Sequence, residues 1–261
     1  MKNRIREDLA KTGVSLGSWL NLASPLAAEI LAAAGLRWLC VDVEHSPVGL
    51  AELTHQVRAI EARGAVPLAR LAACESSSIA TALDAGVYGI VAPHMQNIEQ
   101  AQRLVEAAYY PPRGYRSSGA SRAKTISRDY AATCNDQLLI IAQIEDRQGV
   151  DNADAIMALD GIDGGFLGNH DLALDMGLEM GCAEHEAAVD RVRQACEKAG
   201  KPCGILVKNE ADFRHRLHQG YALFSLSSDL RLMQASAGEF HAAASSIAAS
   251  AERRCYPSKS G

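Results

Sequence analysis

A single (β/α)8 TIM barrel is the fold class that the sequence predicts, and three observations predict it. Eight apolar runs of strand length recur along the 261 residues. Ala-rich amphipathic stretches lie between them, and several close on Gly just before the next run, where a helix C-cap is expected. Eight strand–helix units in about 250 residues is the size of such a barrel. An open doubly wound sheet is the alternative, but no GxGxxG follows the first run.

The runs justify themselves in order. "LGSWLNL" (16–22) opens the series, followed by the helix-like "SPLAAEILAAAG", whose Ser-Pro start and Gly end are capping signals. "LRWLCVDVE" (36–44) and "AVPLARL" (65–71) supply the second and third strands. "SSSIATALDAG" leads into "GVYGIVAPHM" (86–95), and "IEQAQRLVEAA" follows it. The fifth run, "LLIIAQIE" (138–145), is almost unbroken apolar sequence, as suits a strand covered on both faces. "GIDGGFLGN" (161–169), "EHEAAVDRVRQACEKAG", "PCGILVK" (202–208) and "YALFSLSSD" (221–229) complete the alternation. "GEFHAAASSIAASAE" reads as a final helix, too poor in large polar residues for full solvation. No linker or repeat divides the chain, so one domain is expected over 1–251, with a frayed tail over 252–261.

Composition narrows the function. The net charge is −5 and no basic cluster occurs, which argues against nucleic acid. The start "MKNRIREDLAKTG" lacks an apolar signal core, and no run reaches the ~18 apolar residues of a membrane span. Seven scattered cysteines without CxxC are expected to be reduced core fillers in the cytoplasm.

Active sites of such barrels lie at the C-terminal ends of the strands. The polar residues falling there are Asp42, Glu44, His45, Arg70, His94, Gln143, Glu145, Asn169, His170, Asp171 and Lys208. Glu145 and Asp171 come from adjacent strands, and two such carboxylates repel unless a proton or cation neutralises them. An all-oxygen set with open positions suits Mg²⁺ or Mn²⁺. Arg70 adds a permanent cation able to hold an enolate oxygen, and His45 a group able to move protons near neutral pH. Strand-end carboxylates returning to water would give Glu145 and Asp171 the same pattern. Lys208 raises a rival chemistry, a Schiff base with a keto acid, against its plainer reading as a surface amine. His94 reads as an ordinary rim histidine. The loops after the seventh and eighth runs lack a glycine-rich phosphate cradle, which argues against a phosphosugar isomerase.

Six motifs in order, "DVEHSP" (42–47), "PLAR" (67–70), "LDAGVYGIVAP" (83–93), "YPPRGYR" (110–116), "QIED" (143–146) and "GNHDLALDMG" (168–177), resemble the HpcH/HpaI family of metal-dependent pyruvate aldolases. The resemblance covers roughly residues 5 to 240. It implies a divalent cation (Mg²⁺, Mn²⁺ or Co²⁺) on Glu145 and Asp171, and an enolate-stabilising Arg70. It implies His45 as catalytic base, with Asp84 as the carboxylate that pairs with it. Gln143 falls beside the metal site, and the turn of Gly168, Asn169 and His170 offers backbone N–H groups to a substrate carboxylate. The family usually reads Gly-Pro-Ala-Asp at that turn, an Arg where Tyr109 stands, and Gly after the position of Arg116. These departures bear on which substrate is taken.

The resemblance implies retro-aldol cleavage of a 4-hydroxy-2-oxo acid to pyruvate, or a close 2-oxo acid, and an aldehyde. A citrate-synthase-like condensation of oxaloacetate with an acyl-CoA, on the siderophore branch of the same fold, is the alternative, and a non-catalytic barrel is a third reading. The partners implied are these small molecules and further copies of the chain. Relatives exchange their last helix between subunits and form hexamers, so a trimer-based homo-oligomer is expected.

Overall fold

The computed structural model describes residues 2–250, so the expected tail over 252–261 lies outside the described residues. The eight strands close into a parallel barrel in sequence order. They are β1 (Ser15–Leu20), β2 (Trp38–Asp42), β3 (Val66–Arg70), β4 (Gly89–Ala92), β5 (Leu139–Ile144), β6 (Gly164–Leu167), β7 (Cys203–Val207) and β8 (Leu223–Ser228). Seven fall inside their apolar runs, and β1 starts one residue ahead of its run, at Ser15.

The helices alternate with them. Ahead of β1 lies α1 (Arg4–Thr12), which the polar composition of that segment conceals. The Asn3 side chain caps it by accepting from the Ile5 N–H, and Ile5 is fully buried against the barrel interior. Next come α2 (Pro25–Ala33), α3 (Leu50–Ala62), α4 (Ser76–Ala85) and α5 (Ile98–Ala108). A 3-10 turn at Arg122–Thr125 precedes α6 (Tyr130–Gln137). After β5 stand two short helices, α7 (Arg147–Asp151) and α8 (Ala153–Ala158). The set closes with α9 (Asn169–Met176), α10 (Ala183–Lys198), α11 (Glu210–His218) and α12 (Asp229–Ser250). The Ser24 hydroxyl and Pro25 start α2, as its Ser-Pro pair predicts. Gly86 ends α4 in the left-handed conformation, φ 96°, a geometry that a side chain would strain.

Strand alternation divides the core. Leu39 and Val41 of β2, Ala69 of β3, and Ile140, Ala142 and Ile144 of β5 face the helices. Trp38 and Cys40, Val66 and Leu68, and Leu139 and Ile141 face inward. There they meet Trp19 and Phe166, whose rings pack edge-to-face at 5.4 Å. The same alternation carries Asp42, Arg70, Gln143 and Glu145 onto the inner face at the C-terminal mouth.

All eight strands are shorter than their apolar runs, and the largest differences fall in three of them and in the last helix. The second, fourth and sixth strands are shorter than their apolar runs, because polar turns take over at 43–46, at His94 and at Gly168. The last helix starts at Asp229 rather than 238, since the buried Asp229 carboxylate accepts from the Asn21, Leu22 and Leu230 N–H groups and anchors that end. From Leu230 to Ser250 every residue of α12 is exposed, including Met233, Phe240 and Ile247. No helix among the described residues is long and apolar enough to cross a membrane.

Candidate active site

At the mouth, Asp42 and Arg70 are cross-strand partners in the β2–β3 register. The guanidinium grips the fully buried Asp42 carboxylate through two hydrogen bonds, Nε to Oδ1 at 2.9 Å and Nη2 to Oδ2 at 2.7 Å. It lies over the Trp19 ring, 4.9 Å from the centroid, and its Nε is 3.3 Å from Glu44 Oε2. Burial alone would disfavour the Arg70 charge, but the Asp42 and Glu44 carboxylates outweigh it and raise its affinity for the proton. Arg70 therefore presents a fixed, permanently charged fork.

Asp42 does more than hold Arg70. Its Oδ1 accepts from the Glu44 and His45 N–H groups, and its Oδ2 accepts from the Asn21 amide at 2.8 Å. One carboxylate thus sets the turn that carries His45. The His45 ring is mostly exposed, and within the chain Glu44 approaches it, Oε2 to Nε2 at 3.7 Å.

The structure does not bring Asp84 to His45 within the chain. The Asp84 Oδ1 instead accepts from Arg116 Nη2 at 2.9 Å. Arg116 is itself buried, over the Tyr110 ring and beside the Tyr130 hydroxyl. The geometry leaves the Asp84 carboxylate half-exposed on the outer side of its own barrel.

Glu145 follows β5 directly and is 3% exposed. Its Oε1 accepts from the His94 N–H at 2.7 Å, and its Oε2 from the Gln143 amide. Burial pushes the Glu145 carboxyl above its ordinary pKa, against the pull of these two donors and of the His94 ring. The Glu145 side chain lies against Gly168, where an added Cβ would meet Oε2 and its own Cβ within 2.5 Å. Only glycine fits there, and Gly168 is also the N-cap of α9. Asp171 sits in the first turn of that helix, 42% exposed, with His170 Nδ1 3.8 Å from its Oδ1. The close packing of Glu145 on Gly168 therefore sets Glu145 against the N-cap of the helix whose first turn carries Asp171.

The donor set suits a hard cation. Glu44 Oε2, Gln143 Oε1 and Asn169 Oδ1 are buried oxygens without a hydrogen-bond donor among the described residues. Gln143 bonds Glu145 directly and the Glu44 carboxylate acts against its charge, so a cation would offset both that repulsion and the burial of the Glu145 carboxylate. Among the described residues, no three His, Cys, Asp or Glu side chains converge into a closed cage. Two carboxylates with open positions is the arrangement in which substrate completes the shell.

Several residues show a different part from the expected one. Gln143 orients Glu145 through its amide. Tyr109 is buried and its hydroxyl donates to the Gly161 carbonyl ahead of β6, on the opposite side from the mouth, so that departure does not touch substrate. Lys208 is exposed just after β7, with its N–H donating to Asp212. Asp42, Glu44 and Asn21 emerge as site residues. Asp42 was legible as the inward position of an alternating strand; Asn21 carries no comparable signal.

Comparison with known proteins matches residues 15–235 to the HpcH/HpaI aldolase/citrate lyase family. The 5-keto-4-deoxy-D-glucarate aldolase of Salmonella arizonae is 38% identical over 239 residues, covering 89% of this chain and 93% of that protein. The crystal structure of an HpcH/HpaI aldolase/citrate lyase family protein from Burkholderia cenocepacia superposes with a TM-score of 0.86 at 34% identity, covering 92% of this chain and 99% of that one. Citrate synthase SbnG follows at 0.85 and 26% identity, covering 93% and 98%.

Proposed function

Because the chain belongs to the HpcH/HpaI aldolase/citrate lyase family and is an aldolase-type carbon–carbon lyase, we propose that it reversibly cleaves a 4-hydroxy-2-oxo acid into pyruvate, or a close 2-oxo acid, and an aldehyde. A divalent cation, Mg²⁺, Mn²⁺ or Co²⁺, would be held by Glu145 and Asp171. The observation that carries this reading is the buried Glu145, held by Gln143 and linked through the His94 ring and Glu44 to the fixed Arg70 fork. The aldolase relative acts on a 2-oxo sugar acid with a carboxylate at each end, and we extend that chemical class to this chain.

When bound, the cation supplies Lewis-acid polarisation of the substrate's carboxylate and keto oxygens. The first N–H groups of α9, at Asn169, His170 and Asp171, face that carboxylate with the positive end of the helix. His45 takes the proton from the C4 hydroxyl. The C3–C4 bond breaks, the carbonyl of the aldehyde forms, and the electron pair moves through C3 to the C2 oxygen. Arg70 stabilises the negative charge that collects there. Proton return to C3 gives the methyl group of pyruvate. A role for Asp84 beside His45 requires a second copy of the chain, since the pair is not made within one.

The test is metal removal. Dialysis against chelator is expected to abolish pyruvate release from a 4-hydroxy-2-oxo acid, and Mg²⁺, Mn²⁺ or Co²⁺ to restore it. Full activity in excess chelator, or borohydride trapping of pyruvate on Lys208, would overturn the reading. The condensation alternative has weaker support, because the citrate synthase likeness is lower in identity than the aldolase one. The aldolase relatives set aside the non-catalytic barrel.

We also propose a homo-oligomer with trimer-based symmetry. The bare α12, with Met233, Phe240 and Ile247 exposed, is a surface that another subunit would cover. Light scattering at micromolar concentration is expected to give a multiple of 27.8 kDa, and a monomer mass would exclude it. A cytoplasmic setting belongs to the same reading, as six described cysteines are free.

A further inference from the structure

His94 stands at the end of β4 with φ 51°, a left-handed conformation that is uncommon for a residue with a side chain. Neighbours enforce it from both sides: its own N–H donates to Glu145 Oε1 at 2.7 Å, and the next N–H, of Met95, donates to the Gln143 carbonyl at 3.1 Å. The backbone contact alone would be served best by glycine, which adopts this conformation without strain. The chain keeps an imidazole there, and the ring is placed. Its Nδ1 lies 3.3 Å from the same Glu145 oxygen, and its Nε2 lies 3.3 Å from Glu44 Oε1. Glu44 in turn meets Arg70. The remaining 60% of the ring's surface is open at the mouth of the barrel.

We infer that His94 is a positioning residue: its ring braces Glu145 and ties that carboxylate to the Glu44–Arg70 pair, so that the cation and the guanidinium are held in one register. The inference rests on the reading of Glu145 as a metal ligand. Outer groups that orient a ligating side chain commonly change metal affinity by about 10- to 100-fold when removed. A strained backbone at such a point is retained where the surroundings over-determine it, here from β5 on one side and β2 on the other.

The glycine variant isolates the ring. His94→Gly keeps the N–H that donates to Glu145 and relieves the left-handed strain, so its melting temperature is expected to equal or exceed that of the parent. Its affinity for Mn²⁺, titrated without substrate and followed by the electron paramagnetic resonance of the free ion, is expected to fall about 10-fold or more. His94→Asn tolerates the same backbone and keeps one polar nitrogen, so it is expected to fall between the two. A His94→Gly Kd within twofold of the parent overturns the positioning role. Glu145→Gln separates the underlying reading: if it binds Mn²⁺ as the parent does, the metal assignment fails rather than the role of His94.

Discussion

Arg70→Ala is expected to lower kcat for cleavage by about 10²- to 10³-fold and to stop the exchange of pyruvate methyl protons into D₂O. Both reactions pass through the enolate, and the proposed mechanism sets the charge of Arg70 against its oxygen. The fork is held by Asp42 at two points, by the Trp19 face and by Glu44, so it needs no rearrangement as charge develops. Removing it leaves Asp42 fully buried with no counter-charge, a change that costs about 3–5 kcal/mol of stability. Arg70→Lys keeps a charge near Asp42 and loses the two-point geometry. It is expected to remain folded and to lose exchange almost as completely. Exchange at the parent rate in a folded Arg70→Lys protein would remove the guanidinium from the enolate.

The barrel and half of the site were legible in the sequence because both follow local periodicities. β2 alternates Trp38, Cys40 and Asp42 inward with Leu39 and Val41 outward, so a polar residue that continues the inward series must reach the mouth. Arg70 continues the Val66 and Leu68 series, and Gln143 and Glu145 continue that of Leu139 and Ile141, by the same rule. What the sequence does not display is pairing between distant segments. His94 meets Glu145 across 51 positions, and a histidine marks a left-handed turn only weakly where a glycine would mark it plainly. Asn21 reaches Asp42 from the loop after β1, and Arg116 takes Asp84 from 32 positions away. The helix α1 was hidden for another reason. It is polar over most of its surface and buries the single residue Ile5.

His45→Ala is expected to lower kcat for cleavage by about 10²- to 10⁴-fold while Mn²⁺ binding and most of the pyruvate proton exchange persist. The base for the C4 hydroxyl must reach substrate, and the exposed ring of His45 stands in the turn fixed by Asp42, beside Glu44 and next to the Arg70 fork. Glu44 approaches the ring from within the chain, Oε2 to Nε2 at 3.7 Å. Exchange of pyruvate protons involves no C4 hydroxyl, so it isolates the two roles. Loss of cleavage with retained exchange assigns His45 to the hydroxyl proton, whereas Arg70 variants lose both. Truncating the ring buries no new charge, since the side chain is mostly exposed, so the variant is expected to fold as the parent does. Cleavage by His45→Ala at the parent rate would move the base elsewhere, and His170, exposed beside Asp171 at the start of α9, is the next group placed to serve.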